Sequence, residues 1–140
     1  MMMDTRATTP NVLFVCLHGS AKSLIAAEHF RKLAAARGLS LHATSAGLEP
    51  DAEIPPRVIQ GLLSDGIDVR GCQPRRVTSA DLAQASHVVT FACDLGALGP
   101  PSRAPERWDD VPAVSDGYEP ARDAIVARVT SLLDGLSRGA

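Results

Sequence analysis

The sequence has few cysteines, few aromatic residues and no long apolar run. Its 140 residues include three cysteines, at positions 16, 72 and 93, and aromatic residues make up 4% of the chain. The cysteines form no CxxC pair and no even set, which argues against a disulfide framework and against a thiolate metal site. No stretch approaches the roughly 18 to 20 apolar residues of a membrane-spanning helix. We therefore expect free thiols, no metal and no membrane contact.

An excess of charge of one sign is also lacking. The net charge is −2, with 45% hydrophobic and 21% charged residues, so we expect a globular chain that does not bind nucleic acid. The length suits one domain. Residues 1–10 lack the charged-then-apolar order of a signal peptide, and we interpret them as a disordered lead-in to a single domain at 11–138. Free thiols without an export signal predict a cytoplasmic protein.

Apolar runs and helical patterns alternate along the chain. Strand patterns occupy residues 11–16, 39–46 and 88–92, and helical patterns occupy residues 20–37, 55–66, 81–84 and 119–136. Residues 94–117 contain many of the prolines and glycines and predict a long loop, with a short strand near Trp108. This alternation predicts an α/β fold in which helices cover both faces of a parallel sheet.

The turn after the first strand carries the residues most suited to chemistry. Cys16 ends the strand, where the backbone amides of a turn and of a helix N-terminus favour a negatively charged thiolate. Lys22 can place a cation over a bound oxyanion, and Ser23 can donate its hydroxyl to the sulfur. Gly19 permits the positive φ that such a turn requires. The alternative is a buried, inert cysteine followed by an ordinary strand-to-helix turn.

The motifs of the chain resemble one family. CLHGSAKS, residues 16–23, resembles the phosphate-binding loop C-x5-R-S of low molecular weight protein tyrosine phosphatases and of the arsenate reductases that share their fold. The segments SAG (45–47), GID (66–68) and WDDVP (108–112) also resemble family motifs in the same order, and the resemblance covers nearly the whole chain. It implies a three-layer αβα sandwich around a central four-stranded parallel sheet.

Three departures from the family pattern fall on the chemistry. The loop arginine is Lys22, which keeps the charge but not the planar fork that holds two oxygens. The loop asparagine is Gly19. The position of the general acid, directly before Pro112, is held by Val111, which leaves Asp110, or Asp109 behind it, as the candidate proton donor.

The resemblance implies a cysteine-dependent phosphatase that forms a phosphocysteine. Cys16, Lys22 and Asp110 are the implied catalytic residues, and no cofactor is expected. The implied substrate is a phosphorylated protein or a small phosphate or arsenate oxyanion. The residues predicted to bind it are Leu17, His18, Gly19, Ser20, Ala21 and Ser23.

Two other functions stay open. Cys93 follows the third strand, close to where the reductases keep a second cysteine, so the chain could reduce arsenate through a disulfide between Cys16 and Cys93. No third relay cysteine follows, which would require an external thiol such as thioredoxin, glutathione or mycothiol. The third possibility is a catalytically weakened protein that only binds an oxyanion or a phosphopeptide.

Overall fold

The computed structural model describes residues 10–93, 95–96 and 105–138. Of the predicted lead-in, only Pro10 belongs to the described residues. Much of the first half of the predicted loop at 94–117 lies outside them as well. Within these ranges, no helix is long and apolar enough to cross a membrane.

Four parallel strands form the central sheet, which confirms the predicted fold class. They are β1 (Asn11–Cys16), β2 (His42–Gly47), β3 (His87–Thr90) and β4 (Glu106–Arg107), in the order β2-β1-β3-β4. The interior position of β1 explains its continuous apolar sequence, because side chains on both of its faces are buried. The short β4 is the strand predicted near Trp108.

Helices cover both faces of the sheet. They are α1 (Lys22–Ala36), α2 (Pro56–Ser64), α3 (Ser79–Gln84) and α4 (Tyr118–Arg138). Residues of α1, α2 and α4 pack with alternate residues of β1 into the larger core, whereas Leu82 of α3 packs against the opposite face. Thr78 caps α3 and forms a capping box with Asp81, as its position before the helix predicts.

Aromatic packing anchors the segment that follows β4. The rings of Phe14 and Trp108 are 5.8 Å apart between centroids, and Trp108 is fully buried. The Trp108 amide also donates to the Thr90 carbonyl, at 2.8 Å. These contacts fix residues 109–115 at the carboxyl edge of the sheet. The loops after β1 and β2 reach the same edge, which is where ligands bind in parallel α/β sheets.

Candidate active site

Cys16 ends β1, and residues 17–21 connect it directly to α1. No described side chain caps the start of α1, and its first turn contains no acidic residue. The first amides of a helix have no partner within the helix and carry partial positive charge. The uncapped start of α1 therefore follows Cys16 closely along the chain, and an uncapped helix N-terminus is suited to binding an anion.

Two hydrogen bonds reach the Cys16 sulfur. The Ser23 hydroxyl lies 3.0 Å from Sγ, and the amide of Gly19 donates to Sγ at 3.1 Å. Cys16 is 8% exposed, so these partners face a sulfur that little water can reach. Donors to a sulfur favour its thiolate form, which is the nucleophilic form. The contacts match the roles predicted for Ser23 and Gly19.

Gly19 and Gly47 touch back to back, and this contact shapes the loop. Gly19 has φ +63°, and a Cβ built on it would lie 2.6 Å from the Gly47 nitrogen. A Cβ on Gly47 would lie 2.5 Å from the Gly19 nitrogen and 2.6 Å from the His18 carbonyl carbon. Backbone atoms cannot yield to such overlaps. This close packing of residues 17–21 against the end of β2 explains why the SAG segment ends in glycine.

We expect Gly47→Ala to lower kcat/KM roughly a hundredfold, because the methyl group must displace the Gly19 amide from the Cys16 sulfur. The matched control is Gly135→Ala in α4, where a Cβ would meet nothing within 4 Å. Steady-state kinetics with p-nitrophenyl phosphate, alongside circular dichroism, makes the comparison. Full activity in a folded Gly47→Ala protein would contradict this account of the loop.

The segment after β2 packs against the loop that follows Cys16 and forms hydrogen bonds with it. Amides of residues 48, 49 and 51 donate to the carbonyls of residues 16, 17 and 18 at 3.3, 2.7 and 3.2 Å, respectively. The Asp51 carboxylate accepts a hydrogen bond from the Ser20 hydroxyl at 2.7 Å. His18 Nδ1 lies 3.5 Å from the same carboxylate and 3.1 Å from the Glu49 carbonyl oxygen.

The loop opens into a cleft of about 540 Å³. Cys16 lines this cleft, and most of the lining is apolar. The described lining residues are Cys16, Leu17, His18, Ser20, Ala21, Lys22, Asp51, Pro55, Arg57, Val58, Phe91, Ala113, Val114 and Ser115. The cleft therefore brings together all but two of the predicted nucleophile, cation and binding residues, and those two, Gly19 and Ser23, contact the Cys16 sulfur.

Lys22 connects the two sides of the cleft. Its ammonium donates to the carbonyl oxygen of Val111 at 2.9 Å while its side chain lines the cleft. An ammonium has three donors, so Lys22 can keep this carbonyl and also donate to an anionic oxygen. Lys22 is thus placed to hold a phosphoryl oxygen and the facing segment at once.

Asp110, the predicted general acid, is not in the cleft. Its carboxylate pairs with the Arg128 guanidinium on α4 and is 72% exposed. This hydrogen bond holds the pKa of Asp110 below its usual range, which disfavours the protonated form that an acid needs. Asp109 is also engaged: it accepts from the Ala92 amide at 2.8 Å and from Arg107 at 2.9 Å. In this structure Asp110, the predicted general acid, therefore faces Arg128 instead of the cleft.

Cys93, the predicted resolving thiol, does not line the cleft either. Its thiol donates to the Val15 carbonyl at 3.6 Å and packs in the core on the sheet face opposite to Cys16. Burial raises the pKa of Cys93, which makes it a weaker nucleophile at neutral pH. In this structure the two thiols therefore belong to different parts of the core, and the disulfide between them stays a prediction.

Two charged residues that line the cleft were not predicted as site residues from the sequence. Asp51 follows β2, and Arg57 lies in the first turn of α2, where its guanidinium donates to the carbonyl of Ser115 at 2.8 Å. Asp51 could have been found, since loops after neighbouring parallel strands meet at one edge. Arg57 had no comparable signal, because its partner is a carbonyl far along the chain.

Comparisons with known proteins identify the family of the chain. The sequence profile of the family described as "Low molecular weight phosphotyrosine protein phosphatase" matches residues 11–98. No curated protein matches the chain significantly. The structure resembles that of YfkJ from Bacillus subtilis, with a TM-score of 0.82 and 24% identity over 94% of this chain and 96% of that one.

Solved structures of two further kinds are similar. A thioredoxin-dependent arsenate reductase from Corynebacterium glutamicum has a TM-score of 0.81 and 25% identity; the match covers 94% of this chain and 64% of that chain. A low molecular weight protein tyrosine phosphatase from T. tengcongensis has a TM-score of 0.77 and 19% identity, over 91% and 99% of the two chains. The same fold therefore supports both chemistries.

Proposed function

The chain belongs to the low molecular weight phosphotyrosine protein phosphatase family, which makes it a cysteine-dependent phosphatase or arsenate reductase, and we propose that it is the phosphatase. Its substrate would be a phosphate monoester, such as phosphotyrosine in a protein or a small aryl phosphate. The observation that carries this proposal is the Cys16 sulfur, which lines an open cleft, accepts a hydrogen bond from the Gly19 amide and shares one with the Ser23 hydroxyl.

The reaction proceeds in two displacements. The Cys16 thiolate attacks phosphorus, the S–P bond forms, and the P–O bond to the leaving group breaks with its electron pair on the leaving oxygen. Water then attacks the phosphocysteine, releasing inorganic phosphate and regenerating the thiolate. Uncapped amides of the loop and the Lys22 ammonium stabilise the negative charge on the equatorial oxygens.

The walls of the cleft favour an aromatic or apolar leaving group. Leu17, Val58 and Val114 line it, together with Phe91, the one aromatic side chain among the described lining residues. An aryl ring buries apolar area against such walls, which contributes about 25 cal/mol per Å².

All three thiols of the chain are free, which fits the reducing environment of the cytoplasm.

Arsenate reduction is the second candidate, supported by the similarity to a thioredoxin-dependent arsenate reductase. Cys16 would take up arsenate, and a second thiol would resolve the adduct with electrons from thioredoxin, glutathione or mycothiol. For arsenate reduction through Cys93, this residue must first leave the core on the sheet face opposite to Cys16. The phosphatase needs no such rearrangement, which is why we favour it.

We expect the purified protein to hydrolyse p-nitrophenyl phosphate, and Cys93→Ala to keep that rate within about threefold, because a residue outside the cleft contributes little to transition-state binding. Cys72→Ala, which removes an exposed thiol, is the matched control. Arsenate turnover is measured in parallel with each thiol system. Arsenate turnover that Cys93→Ala abolishes and Cys72→Ala preserves would identify a reductase instead. Phosphate binding without any turnover would identify a binding protein.

A further inference from the structure

His18 lies in the cleft with its imidazole held from one side. Nδ1 is 3.1 Å from the Glu49 carbonyl oxygen and 3.5 Å from a carboxylate oxygen of Asp51. A carbonyl oxygen can only accept a hydrogen bond, so the contact with Glu49 places a hydrogen on Nδ1. The other nitrogen, Nε2, has no protein partner in the part of the chain that the structure describes. Nε2 is therefore the ring nitrogen that is left to contact a substrate oxygen.

From this geometry we infer that His18 is the general acid of the reaction, with Asp51 as its positioning residue. The inference rests on the proposed phosphatase function. His18 lines the same cleft as Cys16, two residues along the chain, and its side chain is 53% exposed, so it can meet a leaving group at the mouth of the cleft. Histidine is the side chain that most often transfers protons in enzymes at neutral pH.

The other titratable groups of the described cleft are less suited to this task. The Arg57 guanidinium does not release a proton in proteins. Lys22 would lose the charge that holds the phosphoryl oxygens if it gave up a proton. Asp51 already accepts from the Ser20 hydroxyl and faces the N–H of His18. His18 alone in this set can donate a proton without dismantling the site.

His18 can supply and recover the one proton that the reaction requires. In the first step, the imidazolium gives its Nε2 proton to the leaving oxygen as the P–O bond breaks. The neutral imidazole then takes a proton from the water that attacks the phosphocysteine. The ring returns to its starting state at the end of each turnover, and no other donor or acceptor is required.

Asp51 holds the ring in place through a network that includes the catalytic loop. Its amide donates to the His18 carbonyl at 3.2 Å, and its carboxylate accepts from Ser20 in the same loop. A carboxylate beside Nδ1 also fixes the orientation of the ring, as an acidic partner does for histidine in other acid–base sites. Asp51 thus acts through His18 and need not contact the substrate.

The test compares two phosphate esters whose leaving groups differ in basicity. p-Nitrophenolate leaves readily as an anion, whereas the more basic phenolate needs a proton. We expect His18→Asn to lower kcat/KM for phenyl phosphate by roughly a hundredfold or more and for p-nitrophenyl phosphate by much less. Asparagine can still donate to the Glu49 carbonyl but cannot exchange a proton. His42→Asn, on β2 and outside the cleft lining, is the matched control and should change neither rate.

Further measurements separate proton transfer from a structural role. Asp51→Asn should reduce activity on phenyl phosphate selectively, by less than His18→Asn does. Added imidazole should partly restore phenyl phosphate hydrolysis in His18→Gly. Equal losses on both esters in a folded His18→Asn protein, or no loss on either, would overturn the inference and leave the proposed function intact. A wild-type protein that hydrolyses neither ester would overturn both.

Discussion

A Cys16→Ser variant is expected to hydrolyse p-nitrophenyl phosphate at least about ten-thousandfold more slowly than the wild type, because removing an enzymatic nucleophile typically costs that much or more. The contacts at Cys16 explain the size of the effect. The Ser23 hydroxyl and the Gly19 amide can donate hydrogen bonds to a thiolate, but they cannot remove the proton of an alcohol. Stopped and continuous assays over a wide range of enzyme concentrations measure such a loss.

The anion site should survive this substitution. The loop amides and Lys22 do not depend on the sulfur, so inorganic phosphate should bind Cys16→Ser with a Kd close to that of the wild type, as calorimetry can measure. Cys72→Ser provides the matched control, since Cys72 is exposed. Substantial turnover by a pure Cys16→Ser protein would mean that another group attacks phosphorus.

Lys22 is the position where a substitution should raise activity. Lys22→Arg should increase phosphatase kcat about ten- to a hundredfold, since a second charge-assisted hydrogen bond contributes about 1.5 to 3 kcal/mol and each 1.36 kcal/mol is tenfold in rate. Arginine has five donors, so it can hold two phosphoryl oxygens and still reach the Val111 carbonyl that lysine now contacts. Lys22→Ala should lower kcat/KM by roughly a hundred- to a thousandfold, because an oxyanion donor is lost.

The control for both substitutions is Lys32, the second lysine of α1. Lys32 is exposed and donates to the Asp65 carbonyl, outside the cleft lining. Lys32→Arg and Lys32→Ala should leave kcat and KM unchanged. A folded Lys22→Arg enzyme that loses turnover would show that the cleft is built around lysine, and the assignment of Lys22 to the equatorial oxygens would then be wrong.

The sequence was informative where local pattern decides structure. The apolar run of β1 predicted a strand buried on both faces, and the turn from Cys16 to Ser23 predicted the loop that the structure shows. Predictions there rest on spacing within a few residues, which the backbone preserves. The contact between Gly19 and Gly47 is non-local, but the sequence contains a sign of it, because this chain has glycine at both positions.

The sequence was misleading where distant partners decide. Asp110 pairs with Arg128 of α4, which lies 18 residues further along the chain. No rule based on residue spacing predicts this pair. Cys93 changes sheet face because the preceding Ala92 has φ +53°, an uncommon conformation for alanine, with its amide bound by Asp109. The proximity of Asp51 to His18 likewise depends on how two loops meet, which only the folded chain reveals.

The central claim is that Cys16 carries the phosphoryl group during turnover. The most direct measurement mixes wild-type protein rapidly with p-nitrophenyl phosphate, stops the reaction in alkaline denaturant and locates the modification by peptide mass spectrometry. We expect one phosphoryl group on the peptide that contains Cys16, formed with the burst of p-nitrophenolate, and no adduct in Cys16→Ser. Turnover with the phosphoryl group on another residue, or with no covalent adduct at all, would contradict the account.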